Sequence, residues 1–220
     1  MQAIIIAYVE DILLDGRLKS YVRAAAEARA VLICADGGGE AAKAWGLKPH
    51  LLVGDMDSIS SATLAEFALG GVEIRKLAVE KDETDLEMAL YAAIELGAQQ
   101  LTIIGGLGGR LDHTLGNLYL LATPRLRTAG VQTHILGERE AVFLLAGGNK
   151  LTLEGQAGEL LSLLPLAGDA QGVRTENLYY PLKGETLFFG PTRGVSNLFT
   201  GPQATISLEA GLLLAIHTFS

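Results

Sequence analysis

Residues 31–39, VLICADGGG, decide how the chain folds. Val31–Ala35 is an apolar run of strand length that breaks into Asp36 and three successive glycines, Gly37–Gly39. A helical pattern resumes near Glu40. An apolar strand that ends in a glycine-bearing polar loop and restarts as a helix is the βα turn of a parallel sheet buried on both faces. Working outward, the same alternation recurs. Strands are expected at Ala3–Val9, Leu51–Val53, Val72–Leu77, Leu101–Ile104 and Val131–Leu136. Between them, Leu18–Arg29 and Asp85–Leu96 carry apolar residues at helical spacing, the second with Leu86, Ala89, Leu90, Ala93 and Ile94 on one face. Gly97 follows as a left-handed cap.

After about Glu138 the texture changes. Short strand-like runs follow one another with glycine, proline and asparagine turns: Ala141–Leu145, Lys150–Leu153, Leu160–Leu164, Thr186–Phe189, Ala204–Leu208 and Leu212–His217. Gly147-Gly148-Asn149 reads as a hairpin turn between the first two. The expected fold is therefore an N-terminal parallel-sheet α/β domain, residues 1–137, followed by a C-terminal all-β sandwich domain, residues 138–220.

Composition narrows the function. A formal charge of −8 over 220 residues argues against nucleic acid as a partner, since such proteins carry a basic face. No apolar run reaches the roughly 18–20 residues that cross a bilayer, so no membrane span is expected. Met1-Gln2 leads into the first strand without a basic secretory segment. Cys34, the single cysteine, has no internal partner, which suits a reducing compartment. These features point to the cytoplasm.

In open α/β sheets ligands collect at the carboxyl ends of the strands, and four polar clusters stand there. Ala35–Gly39 lets a backbone approach a ligand closely, but with no Walker A or dinucleotide pattern present an ordinary turn with Asp36 as cap is the better reading of the glycines alone. Gly54-Asp55-Met56-Asp57-Ser58 places two carboxylates side by side. Such a pair repels unless a cation neutralises it, and Mg²⁺ suits hard carboxylate oxygens. A polar turn before a helix near Ser60 is the competing explanation. Glu80–Asp85 reads first as a capping box, Thr84 with Glu87, leaving Lys81 among acids unexplained. Gly105–His113 holds four glycines in five positions beside Arg110, a pattern suited to polyphosphate because guanidinium pairs with phosphate oxygens as a fork. His50, His134 and His217 have no metal-ligand spacing and are read as structural.

Taken in order, ADGGG (Ala35–Gly39), GDMDS (Gly54–Ser58), EKDETD (Glu80–Asp85), GGRLDH (Gly108–His113) and the pair Ser196-Asn197 resemble the thiamine pyrophosphokinase family along nearly the whole chain. The resemblance implies an α/β domain followed by a β-sandwich. It also implies a homodimer, with active sites between the α/β domain of one subunit and the β domain of the other. The implied reaction moves a pyrophosphoryl group from ATP to the hydroxyethyl oxygen of thiamine, giving thiamine diphosphate and AMP. By the same resemblance Asp55, Asp57 and Asp85 hold Mg²⁺, and Asp57, Asp85 and Arg110 act in catalysis. Asp36, Gly37, Gly38, Lys81, Thr84, Arg110, Asp112 and His113 line the ATP side. Asp57, Ser196 and Asn197 meet thiamine. Glu80 departs from the family pattern, which usually has aspartate there, and is left out of the metal set. Two alternatives stay open at this stage: an Mg²⁺-dependent nucleotide phosphohydrolase, and a non-catalytic nucleotide-sensing dimer. The first predicts AMP without thiamine, and the second predicts binding without product.

Overall fold

Four consecutive residues of strand β1 (Gln2–Ile6), namely Ala3, Ile4, Ile5 and Ile6, have no solvent exposure at all. Only a strand covered on both faces permits this, and the first half of the chain is arranged around it. The computed structural model describes residues 1–8 and 16–220 and divides into two units, Met1–Glu138 and Arg139–Ser220. The expected end of the first strand, Val9, lies outside the described residues.

In the first unit six strands run parallel. Their order is β6 (Gln132–Leu136), β5 (Gln100–Ile104), β1, β2 (Val31–Ala35), β3 (Leu51–Gly54) and β4 (Glu73–Lys76). Ile5 lies opposite Ile33 on one side and Ile103 on the other, so the strand centres share one apolar layer. The helices are α1 (Arg17–Glu27), α2 (Gly38–Ala44), α3 (Ser61–Leu69), α4 (Asp85–Glu95), α5 (Leu111–Leu120) and α6 (Pro124–Ala129). Helix α4 buries Leu86, Ala89, Leu90, Ala92 and Ala93 and packs on β2 and β3. Thr84 Oγ1 accepts from Glu87 N–H at 3.2 Å, and Gly97 at φ +85° follows the helix as expected. The capping box is only half formed, because the Glu87 carboxylate takes the Tyr91 hydroxyl instead of reaching back. Helix α6 went unread in the sequence; Pro124 starts it and Gly130, at φ +66°, ends it.

The second unit consists of two antiparallel sheets. One runs β12 (Asn197–Leu198), β9 (Leu160–Pro165), β14 (Leu212–Thr218), β7 (Glu140–Ala146). The other runs β11 (Lys183–Leu187), β10 (Ala170–Glu176), β13 (Gln203–Ser207), β8 (Lys150–Glu154). Leu161, Leu163 and Leu213 of the first share a core with Val173, Leu187 and Ile206 of the second, which makes a sandwich. The Gly147–Asn149 turn is not a hairpin. Its flanking strands β7 and β8 pair with β14 and β13 respectively, so the chain crosses here from one sheet to the other. The strand expected at Thr186–Phe189 ends at Leu187, leaving Phe188 and Phe189 exposed.

The three histidines are structural. His50 Nδ1 accepts from Leu32 N–H at 3.1 Å. The His134 Nε2 atom lies 3.4 Å from Thr102 Oγ1, and burial lowers this imidazole to about 4. His217 Nε2 sits 2.8 Å from Glu159 Oε2, both side chains being buried. Ser220 N–H and Oγ–H donate to Glu159 Oε1, at 3.2 and 3.1 Å, and Gln156 N–H donates to Oε2 at 2.9 Å. Burial alone would push this carboxyl up, but these donors outweigh it and hold it down at about 2, against an ordinary 4.5.

A lowered carboxyl contributes stability in full above its ordinary value and loses it as the pH falls toward the folded one. Glu159→Gln should therefore cost on the order of 2–3 kcal/mol at neutral pH. Circular-dichroism melts of the full chain should also show a shallower loss of stability between pH 5 and 3 in the variant than in the wild type.

Candidate active site

Strand order reverses at β1, which has β2 on one side and β5 on the other, and a crevice opens at such a point. Loops after β1 to β5 all contribute to one cleft of about 680 Å³ in the first unit. Ala7 and Tyr8 follow β1, Asp36 and Gly37 follow β2, and Ser58 follows β3. Lys81, Thr84 and Asp85 follow β4, and Gly105 to His113 follow β5. Glycines let these loops lie on the main chain of β1. A Cβ on Gly38 would come 1.9 Å from the Ile6 carbonyl oxygen, and one on Gly105 2.2 Å from that of Tyr8.

The acids are brought together by backbone turns. Met56 takes φ +70°, and Asp57 N–H donates to Asp55 Oδ1 at 3.1 Å, so the chain curls between the two carboxylates. Asp36 is also left-handed, at φ +39°, and its N–H donates to Val53 O at 2.8 Å. Gly54 makes room beside it, since a Cβ there would be 2.8 Å from Asp36 Cβ. Ser58 ties the group together: its N–H donates to Asp36 Oδ2 at 3.1 Å and its hydroxyl to Asp57 Oδ1 at 2.7 Å. Carboxylate oxygens of Asp36, Asp55 and Asp57 consequently lie within 4.8 Å of one another.

Asp36 is 6% exposed, and its Oδ1 has no hydrogen-bond partner. Burial pushes its carboxyl up, the charges of Asp85 and Asp57 add to this, and the Ser58 contacts oppose it. Lys81 is the nearby cation, with Nζ 3.0 Å from Asp85 Oδ1 and 4.0 Å from Asp55 Oδ2. Asp85, with Asp55 and Asp36 behind it, raises the Lys81 ammonium above the usual lysine range. Several hard carboxylate oxygens around one point, one of them buried with free lone pairs, fit Mg²⁺.

Arg110 stands at the cleft rim. Its Nε and Nη2 atoms donate to the two oxygens of Asp112, at 3.1 and 2.6 Å, and this fork holds the Asp112 carboxyl at about 2. Thr114 Oγ1 donates to Gly108 O at 2.9 Å and Asn117 Nδ2 to Gly106 O at 3.0 Å, bracing the glycine loop.

Two family profiles match the chain: "Thiamin pyrophosphokinase, catalytic domain" over residues 22–133 and "Thiamin pyrophosphokinase, vitamin B1 binding domain" over residues 149–213. The chain belongs to the thiamin pyrophosphokinase family. As a member it is an enzyme, a thiamine diphosphokinase. It is 28% identical over 177 residues to thiamine pyrophosphokinase of Bacillus subtilis, covering 79% of this chain and 80% of that one. Thiamine pyrophosphokinase 1 of Arabidopsis thaliana is 26% identical over 178 residues, which cover 77% of this chain and 65% of the plant protein. The crystal structure of thiamin pyrophosphokinase from Geobacillus thermodenitrificans superposes with a TM-score of 0.83 at 25% identity, covering 100% of this chain and 98% of that one. The Bacillus subtilis crystal structure gives a TM-score of 0.86 at 23% identity, with full coverage of both chains, and supports the shared fold.

Against the family pattern, the cleft gathers Asp36, Gly37, Lys81, Thr84, Asp85, Arg110 and His113. Asp55 and Asp57 join through Asp36. Gly38 lies beneath, against β1, and Asp112 is engaged with Arg110 outside the cleft lining. In the second unit Asn197 is buried: its Oδ1 accepts from Tyr180 N–H at 2.9 Å, and its Nδ2 donates to Tyr180 O at 2.7 Å. Ser196 is left-handed at φ +61°, and its N–H donates to Ser162 Oγ at 3.0 Å. Sequence reading overlooked Ser58 as the tie between Asp36 and Asp57, although it stood inside the quoted GDMDS. It also overlooked Asn117, one helical turn beyond His113, a spacing that signals it.

Gly38→Ala must displace either its own helix or the end of β1. Its unfolding free energy should fall by about 1–3 kcal/mol in denaturant titrations, the usual cost of overpacking.

Proposed function

We propose that this enzyme transfers the pyrophosphoryl group of ATP to the hydroxyethyl oxygen of thiamine, with Mg²⁺ held by Asp55, Asp57 and Asp85. The observation that carries this reading is the shared cleft. Lys81, Asp85 and Arg110 line it together with Asp36, whose carboxylate meets those of Asp55 and Asp57. Mg²⁺ bound there would neutralise charge on the phosphate oxygens.

The thiamine oxygen attacks the β-phosphorus in line. A new O–P bond forms, the bond from that phosphorus to the α,β-bridging oxygen breaks, and AMP departs with that oxygen. Asp57 or Asp85 takes the hydroxyl proton late in the step. Lys81 meets phosphate charge from the side of the acids. Arg110 does so from the rim, since the fork it now gives Asp112 also fits two phosphate oxygens. Gly37 and the loop from Gly105 to Gly109 leave room for the triphosphate to approach main chain. Thr84 caps α4, Asp112 holds the Arg110 fork, and His113 stands in the cleft beside it.

The working form proposed is a homodimer, with Ser196 and Asn197 supplied to thiamine by the second subunit. Exposed apolar side chains support an assembly: Leu111, Leu115 and Tyr119 of α5 in the first unit, and Tyr179, Phe188 and Phe189 in the second. Among the described residues no helix is long and apolar enough to cross a membrane. The proposed compartment is the cytoplasm, in keeping with a free, buried Cys34.

Incubation with ATP, Mg²⁺ and thiamine should give AMP and thiamine diphosphate in equal amounts, and AMP made without thiamine would overturn the reading. Asp57→Asn should lower turnover by about two orders of magnitude or more, as other lost electrostatic groups do. Near-normal turnover in a folded variant would remove Asp57 from the site.

A further inference from the structure

The family pattern puts Asp36 on the nucleotide side, yet three local devices turn it toward Asp55 and Asp57. Its backbone sits at φ +39°, a region that L-residues seldom occupy and that costs free energy to hold. Gly54 gives up a side chain so that the Asp36 Cβ can sit against it. Ser58 N–H binds Oδ2 and thereby fixes the rotation of the carboxylate. The remaining oxygen, Oδ1, is buried with no donor facing it. A buried polar atom left unpaired is costly, and a carboxylate is a poor direct neighbour for a polyphosphate of the same sign. Lys81 feels its charge but gives it no hydrogen bond, because that ammonium is drawn to Asp85 and Asp55.

We propose that Asp36 is itself a ligand of the divalent cation, completing the site with Asp55 and Asp57 through its unpaired oxygen. This rests on the proposed Mg²⁺ site. It changes the role of Asp36 from lining the nucleotide to holding the metal. The left-handed strand end then has a purpose: it sets one more hard oxygen rigidly while Asp55 and Asp57 sit on a more exposed turn.

The test uses the full-length protein with Mn²⁺ as the spectroscopic probe. Free Mn²⁺ is followed by electron paramagnetic resonance in the presence of α,β-methylene ATP, which cannot be cleaved at the bond that breaks. Asp36→Asn should weaken Mn²⁺ binding by about 10-fold or more, since losing even a group that only orients a ligand costs about that much. Asparagine tolerates the left-handed conformation and keeps an oxygen for Ser58, so the variant should fold, as circular dichroism will verify. Asp36→Glu, which keeps the charge but displaces it, should fall between the two. Binding of the analogue in EDTA should be unchanged or tighter in Asp36→Asn, because a negative charge has been removed.

Three results decide the matter. Wild-type Mn²⁺ affinity in Asp36→Asn, with a loss in Asp57→Asn, overturns the role of Asp36 and leaves the metal site standing. Weaker analogue binding in EDTA returns Asp36 to the nucleotide. If wild-type protein adds no Mn²⁺ binding beyond that of the analogue alone, the metal site itself fails.

Discussion

Carboxylates crowded at one end of a sheet repel one another, and much of the first unit's detail is the means of holding them there. Asp36, Asp55 and Asp57 come within 4.8 Å, and Asp85 adds its field to Asp36. One ammonium, Lys81, offsets part of that charge from 3.0 Å off Asp85. The rest is restrained by backbone: two left-handed residues, Asp36 and Met56, the bare Cα of Gly54, and the two hydrogen bonds from Ser58. Mutual repulsion in such an arrangement is what a bound cation would relieve.

Much of the first unit could be read in its sequence because parallel strands buried on both faces are continuous apolar runs. β2 falls where the run Val31–Ala35 stands, and β5 and β6 begin one residue from their expected starts. The second unit was less legible. Strand β10 escaped because Gly172, at φ +66°, and Val173 are both buried across a bulge, which breaks the two-residue alternation that marks a strand. The two-residue β12 is too short to leave a pattern. The misread turn at Gly147–Asn149 has a similar cause. Local turn chemistry specifies a tight reversal, whereas the identity of the paired strand depends on residues some sixty positions away.

The site shows the same division. Asp-x-Asp and the glycine-rich loop were visible as types of residue, but which acids converge was not. Asp36 lies nearly twenty residues before Asp55, and only the parallel pairing of β2 with β3 brings them together. The ion pair of Lys81 with Asp85 is made by the loop that leads into α4, where no helical spacing announces it. That of Arg110 with Asp112 joins the N-cap of α5 to its first turn, two residues apart, a spacing that does not predict a contact either.

Where Gly38 and Gly105 abut the main chain at and just beyond the end of β1, the loops meet it with no side chain between. Any side chain at either glycine would have to push its loop off that main chain, so these two positions have little room to vary. Divergence in substrate preference within this architecture is thereby channelled to the rim, and a protein engineer would have to begin there.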